Sequence, residues 1–485
     1  MLTNVLHDSS GPALVEPGGT AITHAELRGI VDELAGTLRA DGVGPGAGVG
    51  AVLENSIESV LLFLAIARAG AIAMPVNPKL HAREISAEFD DLLPALVVVG
   101  ADGHPAAEEA ARASGVRVRS LSGDPRRILA DGPAGAPPDE PSEDDPVLLL
   151  HTSGTTSKPK AVVLRHRNLV ASARSIADGY GLTADDVSYC LMPLFHIHGL
   201  VASTLAALAA GGCVVIPRRV RPGALWDDVG AHGVTWLSAV PTILAKLPGP
   251  DSRGPGSLRF ARSCSSALAP TLSAAFEERL GIPLVEAYGM TEASHQMATN
   301  PLPPGVRLPG TVGLPTGTEV AVIDTDWRPV PTGEAGEVAV RGPGVTDGYL
   351  ANPEANAASF RDGWFRTGDL GRLSADGYLT LDGRLKELIN RGGEKIAPRE
   401  IDEVLLTHPH VREAVAFGAP DDKWGETVNA VVVAGGEVDP AALRAFCADR
   451  LAPFKVPKQI HLVDEIPKGP TGKVQRRLLA DALGS

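Results

Sequence analysis

A chain of 485 residues is too long for one ordinary domain and has room for roughly two to four folding units around a sizeable core. With 44% hydrophobic and 21% charged residues it is neither disordered nor fibrous. A net charge of −14 argues against a general nucleic-acid or anionic-membrane binder, so any polyanionic ligand needs a local basic site.

The cysteines, Cys190, Cys213, Cys264 and Cys447, lie far apart without a C-x-x-C pair, which points away from a disulfide framework or zinc knuckle and fits a reducing cytoplasm. The opening MLTNVLHDSS has no basic stretch before an apolar core, so no signal peptide is expected. Two apolar runs read as buried helix-to-strand units rather than membrane spans. Val60 to Val76 contains Arg68 and Pro75, and Gly199 to Ile216 is broken by Gly211 and Gly212.

In chain order, THAE from Thr23 has capping-box spacing, and Leu27, Ile30, Val31 and Leu34 follow at helical intervals. Next come the β-rich strings AGVGAVL, AIAMPVN and ALVVVG, separated by helical stretches such as IESVLLFLAIARAG, as in a parallel sheet covered by helices. The fold class is α/β. The Pro, Gly and acid-rich segment Asp131 to Asp145 reads as an exposed loop leading into the strand VLLL. From about Val312, strands and turns suggest a smaller β unit closing a large N-terminal domain, 1–382. Residues 383–386 form the joint, and 387–485 a small mobile α+β lid with helix PREIDEVLLTH, strands VREAVAFGAP and NAVVVAG, and helix PAALRAFCADRL.

The string TSGTTSKPKA, Thr152 to Ala161, follows the buried strand with hydroxyls, a glycine and two lysines, the donors that a phosphate chain requires. It does not fit G-x-x-x-x-G-K-[ST], which removes the main support for a P-loop ATPase. With YGMTEAS from Tyr288, GWFRTGDLG from Gly363, LDGRLKELINRGGEKIAPREIDEVL from Leu381 and PKGPTGKVQRR from Pro467, the chain resembles the acyl-adenylate-forming superfamily of acyl-CoA synthetases, luciferases and adenylation domains over nearly its whole length. The resemblance implies an acid–thiol ligase. Such an enzyme joins a carboxylate to AMP with loss of pyrophosphate and passes the acyl group to coenzyme A, catalysing by positioning and charge neutralisation.

By the same resemblance, Thr152, Ser153, Gly154, Thr155, Thr156 and Lys160 hold the β- and γ-phosphates of ATP, and Thr291 with Glu292 binds the α-phosphate and Mg2+. Tyr288 packs on the adenine face, Gly289 belongs to the same nucleotide site, and Asp369 and Arg384 bind the ribose. Lys473 carries adenylation, because one ammonium can bridge carboxylate and phosphate. The lid turns about Lys386 and brings in the CoA-binding loop with Arg391, Gly392, Gly393 and Lys395. Surrounding basic residues, Arg399, Lys455, Lys458 and Arg476 among them, would attract the ATP and CoA phosphates. Ser157 and Ala161 stand where this superfamily usually has glycine, which would strain any positive φ there.

For the acid, SCSSALAP from Ser263 and EAYGMTEASHQMATNPLPP from Glu286 are most similar to the oxalyl-CoA synthetase branch. Malonate ligases usually carry Arg where this chain has Ala287, so a malonate pocket is disfavoured. A compact polar pocket from His196, His198, Ser265, Ala287 and His295 suits oxalate or another small acid. The alternative is a medium-chain, aryl or biosynthetic acid in a longer tunnel lined by Ala202, Leu205 and Ala206. A zinc site at His196 and His198 lacks a third ligand. A carrier-protein pantetheine as acceptor, a luciferase-like oxygenation and a non-catalytic homologue are the competing classes. Retention of Lys473 and Glu292 speaks against the last. The ending ADALGS gives no peroxisomal address.

Overall fold

The computed structural model describes residues 1–126, 128–129, 132–133, 135–152, 159–247, 256–467, 474 and 476–483. Thr23 caps the helix His24–Ala40 reciprocally with Glu26, so the capping box sets the start of the first long helix. The strands Gly48–Val52, Ile72–Val76 and Pro94–Val99 pair in parallel within a six-stranded sheet. The helix Ile57–Arg68 connects the first two, and its apolar composition reflects burial on nearly every face.

A nine-stranded sheet forms the second layer. At its centre Val187–Cys190, Trp236–Ala239, Phe260–Ser263 and Leu284–Met290 run parallel, and His295–Thr299 adds antiparallel beside the last. Parallel strands buried on both faces tolerate few polar residues, which makes the charged Arg262 inside Phe260–Ser263 conspicuous. A third sheet contains Trp364–Leu373 with Leu379–Arg384 antiparallel to it. The strand therefore runs to Arg384, and a single 3-10 turn, Leu385–Glu387, separates it from Ile389–Arg391 in the sheet of the C-terminal unit. That unit packs the helices Pro398–Leu406 and Pro440–Ala448 and the strands Val411–Asp421, Gly425–Ala434 and Gln459–Leu462 around its own apolar core. Among the described residues, no helix is long and apolar enough to cross a membrane.

The run from Gly199 is a helix, but of unusual winding. His198–Leu205 forms a π-helical turn, with the Ala206 amide donating to the Val201 carbonyl, before Ala206–Ala209 resumes α geometry. Ala202, Leu205 and Ala206 are fully buried there, as core.

Candidate active site

Thr152 and Lys160 face each other across the antiparallel pair Pro146–Thr152 and Lys160–Arg165, fixing the flanks of the hydroxyl-rich string. Ser153, Gly154, Thr155, Thr156 and Ser157 lie outside the described residues, as does Lys473. Ala161 occupies the strand opposite His151 without a positive φ, so its methyl carries no backbone strain.

Lys160 extends its ammonium over the ring of Tyr349, 4.3 Å from the centroid, and the Tyr349 hydroxyl donates to the Glu292 carboxylate at 3.0 Å. Tyr349 belongs to none of the predicted motifs. Burial pushes the Glu292 carboxyl up, against hydrogen bonding and the nearby charges of Arg384 and Lys160. Burial also lowers the Lys160 ammonium, and the neighbouring charge of Lys386 lowers it further while Glu292 raises it. The lysine after the phosphate string and the exposed lysine of the inter-sheet turn thus share one electrostatic field.

Asp369 and Arg384 are direct partners across their two strands, with the guanidinium 2.9 Å from the carboxylate, and the Tyr288 hydroxyl donates to the other oxygen of Asp369. Gly289 has a packing reason to be glycine: an added Cβ would lie 1.9 Å from the His295 carbonyl oxygen. Thr291 and Glu292 begin a short 3-10 turn, Thr291–Ala293, held where the Thr346 amide donates to the Glu292 carbonyl at 2.8 Å.

Of the residues expected to line an acid pocket, His198, Ser265 and His295 come together. His198 lies between Ser238 and Ser265, with ring nitrogens 2.7 and 3.2 Å from their hydroxyls, and its ring centroid is 4.9 Å from that of His295. His196 packs instead on the Phe195 ring, 4.6 Å between centroids. Ala287 is buried on the strand between, opposite Thr299. Ser265 and His295 both hold positive φ, 73° and 109°, a conformation costly for residues with a Cβ and concentrated at functional sites.

In the C-terminal unit, Gly392 and Gly393 make a tight turn at positive φ between Ile389–Arg391 and Glu394–Ile396. A side chain on Gly392 would meet the Trp424 ring at 2.7 Å, and Arg391 stacks on that ring at 5.2 Å. Several basic residues expected to attract phosphates are already paired: Arg399 with Glu403, Lys455 with Glu400, Lys458 with Asp421, and Arg476 with Asp402.

Residues 5–350 match the AMP-binding enzyme family and residues 400–473 its C-terminal domain. The chain belongs to the AMP-binding enzyme family. It is 43% identical to the oxalate–CoA ligase of Arabidopsis thaliana over 96% of this chain and 95% of that one. It is 42% identical to the sulfoacetate–CoA ligase of Cupriavidus necator over 96% and 93%. The ATP-bound structure of MatB from Rhodopseudomonas palustris superposes with a TM-score of 0.93 at 32% identity, covering 100% and 98% of the two chains; the apo structure of that protein gives 0.82 at the same identity and coverage. This AMP-binding enzyme is therefore an AMP-forming acid–thiol ligase that uses ATP, magnesium and coenzyme A.

The residues present fit magnesium. Among the described residues no cluster of three or more His, Cys, Asp or Glu could hold a metal by itself. Magnesium in nucleotide sites typically takes one or two carboxylates and completes its shell with phosphate oxygens and water, and Glu292 is such a carboxylate. Once bound, the ion neutralises phosphate charge.

Reasoning from motifs named Tyr288, Glu292, Asp369 and Arg384 but missed Tyr349, Ser238, Arg262 and Trp424. Arg262 had a sequence signal: a lone charge inside the strand-like FARSC.

Proposed function

We propose that this ligase activates a small acid carrying a second anionic group beside the reacting carboxylate, with oxalate the preferred candidate. The observation behind this reading is the polar cluster that buried His198 and His295 form with part-buried Ser265, with Ser265 and His295 in strained backbone, where an apolar acid would need a greasy wall. Ala287 supplies no cation of its own, so the cluster rather than a strand residue would meet the distal group. That two similar enzymes are named for oxalate and sulfoacetate supports the same class.

In this reading Thr152 to Lys160 hold the outer phosphates of ATP, Thr291 and Glu292 the α-phosphate with magnesium, Asp369 and Arg384 the ribose, and Tyr288 with Gly289 the adenine. Lys473 bridges the incoming carboxylate and the α-phosphate. The domains divide at 383–386, and the unit beyond turns about Lys386 to exchange Lys473 for the Arg391–Gly392–Gly393–Lys395 loop and CoA. The closer match to the ATP-bound than to the apo MatB structure supports a lid set for adenylation. Free buried cysteines suit a reducing cytoplasm.

The test is a panel of oxalate, sulfoacetate, malonate, acetate, octanoate and benzoate assayed for ATP- and CoA-dependent AMP release. Oxalate is expected to give the highest kcat/KM. An inert oxalate beside a reactive octanoate or benzoate overturns the choice of acid and leaves the ligase chemistry intact.

A further inference from the structure

Arg262 stands at the centre of the nine-stranded sheet with 0% exposure. Its guanidinium donates to the Tyr180 hydroxyl at 3.0 Å, the Ser238 hydroxyl at 3.0 Å, Nδ1 of His295 at 3.2 Å and the Gln296 amide oxygen at 3.1 Å. These four acceptors are uncharged, the Cys264 side chain is a further neighbour, and among the described residues no carboxylate pairs with it. Burial pushes the Tyr180 hydroxyl up, so the phenol stays protonated and supplies no counter-charge. Burying a charge without a partner is costly, and a ligand of opposite sign removes that cost.

The guanidinium can only donate, and that sets the direction of the hydrogen bonds leading toward His295 and Ser265. Nδ1 of His295 accepts, so the proton of this neutral imidazole sits on Nε2, a donor. Ser238 accepts from Arg262, and its own proton has one acceptor among the described residues, Nε2 of His198 at 2.7 Å. His198 then carries its proton on Nδ1 and donates to Ser265 at 3.2 Å, which leaves the Ser265 hydroxyl proton for the pocket. Register supports the arrangement, since Ser238 and Arg262 are direct neighbours across their strands and project to the same face.

We propose that Arg262 is a positioning and specificity-determining residue that turns His295 and Ser265 into donors and adds an unneutralised positive charge, so that the pocket selects acids with a second anionic group. This deepens the reading of the acid given above and rests on it. Arg262 acts through its neighbours and does not touch the acid.

Oxalate and oxamate have the same number of heavy atoms and differ in the charge of the distal group, so they separate charge from size. Wild-type enzyme is expected to favour oxalate in kcat/KM for AMP release. Arg262→Met should cut the oxalate-to-oxamate ratio at least ~10-fold through KM for oxalate, the scale of losing a buried charge partner, while oxamate changes less than ~3-fold because it never used that charge. Arg262→Lys keeps the charge and loses the fork; its ratio should stay within ~3-fold of wild type while kcat falls. If the Met variant does not fold, the Lys variant decides, and a ratio lost there overturns the proposal. Equal losses for both acids in a Met variant of normal Tm reduce Arg262 to a structural residue and overturn it too. A wild-type enzyme that prefers oxamate, or accepts neither oxalate nor sulfoacetate, overturns this proposal and the choice of acid together; a wild type that prefers oxalate with a Met variant of unchanged ratio overturns this proposal alone.

Discussion

The Tyr349 hydroxyl donates to the Glu292 carboxylate while the ring of the same tyrosine carries the Lys160 ammonium on its face. One side chain thus sets the distance between the lysine proposed to bind phosphate and the carboxylate proposed to hold magnesium. The two contacts can be separated. Tyr349→Phe keeps the ring and removes the hydroxyl, and we expect adenylation to slow ~10-fold, with a raised magnesium requirement, as for loss of one hydrogen bond to a charged group. Tyr349→Leu removes the cation–π contact as well and should also raise KM for ATP. Pyrophosphate exchange at varied magnesium measures both; a Phe variant with wild-type magnesium dependence would show that Glu292 needs no such support.

Ser265 exchanges backbone comfort for a hydroxyl at the proposed acid pocket. At φ 73° a serine pays a penalty that glycine does not, while its hydroxyl meets His198. Ser265→Gly should therefore hold or raise Tm, by up to ~1 kcal/mol of relieved strain, and raise KM for the acid several-fold. Thermal unfolding and acid titration on one preparation check the pair of effects. A variant both less stable and unchanged in KM would place the hydroxyl in folding rather than recognition.

Why these residues escaped sequence reading is instructive in physical terms. The parallel strands around Val49, Met74 and Val97 were legible because burial on both faces imposes apolar, β-rich strings bounded by helices. The residues proposed for the nucleotide could be named because their motifs are contiguous. Tyr349 was not, since its partners Lys160 and Glu292 come from distant segments that only the tertiary fold joins. Positive φ at Ser265 and His295 left no trace in residue type either: sequence rules assign that conformation to glycine, and the fold imposes it on a serine and a histidine. The joint shows the same limit of resolution. Within the expected joint 383–386, Arg384 pairs with Asp369 and continues the strand, information that spacing alone does not hold.

Glu286 gives a prediction for pH. Burial pushes its carboxyl up to about 7, against the lowering effect of Arg399 and the Leu268 amide, from an ordinary 4.5. The protonated form suits the fold, so its contribution to stability is complete below pH 4.5 and is lost as pH rises through 7. Glu286→Gln keeps an acceptor for the Leu268 amide, 3.2 Å away, and cannot ionise. The variant should gain stability relative to wild type at pH 8, by up to ~3 kcal/mol, and little at pH 4.5. Tm measured across that range tests the sign: a relative gain confined to the acid end would reverse the assignment.

Lys473 offers the sharpest division of labour within the proposed mechanism. A lid that serves two half-reactions should need this ammonium in only one of them, because thioester formation starts from a finished adenylate whose phosphate no longer gains charge by displacement. Lys473→Ala is expected to lower acyl-adenylate formation by ~10²-fold or more, the loss associated with one preorganised charge partner. CoA-dependent consumption of preformed acyl-adenylate should fall far less. Single-turnover measurements of each half-reaction, with the same preparation, separate the two. Equal losses would mean that the lysine supports the lid as a whole, and the bridging role between carboxylate and α-phosphate would have to pass to another cation, with Lys160 the first to examine because it already shares the field of Glu292.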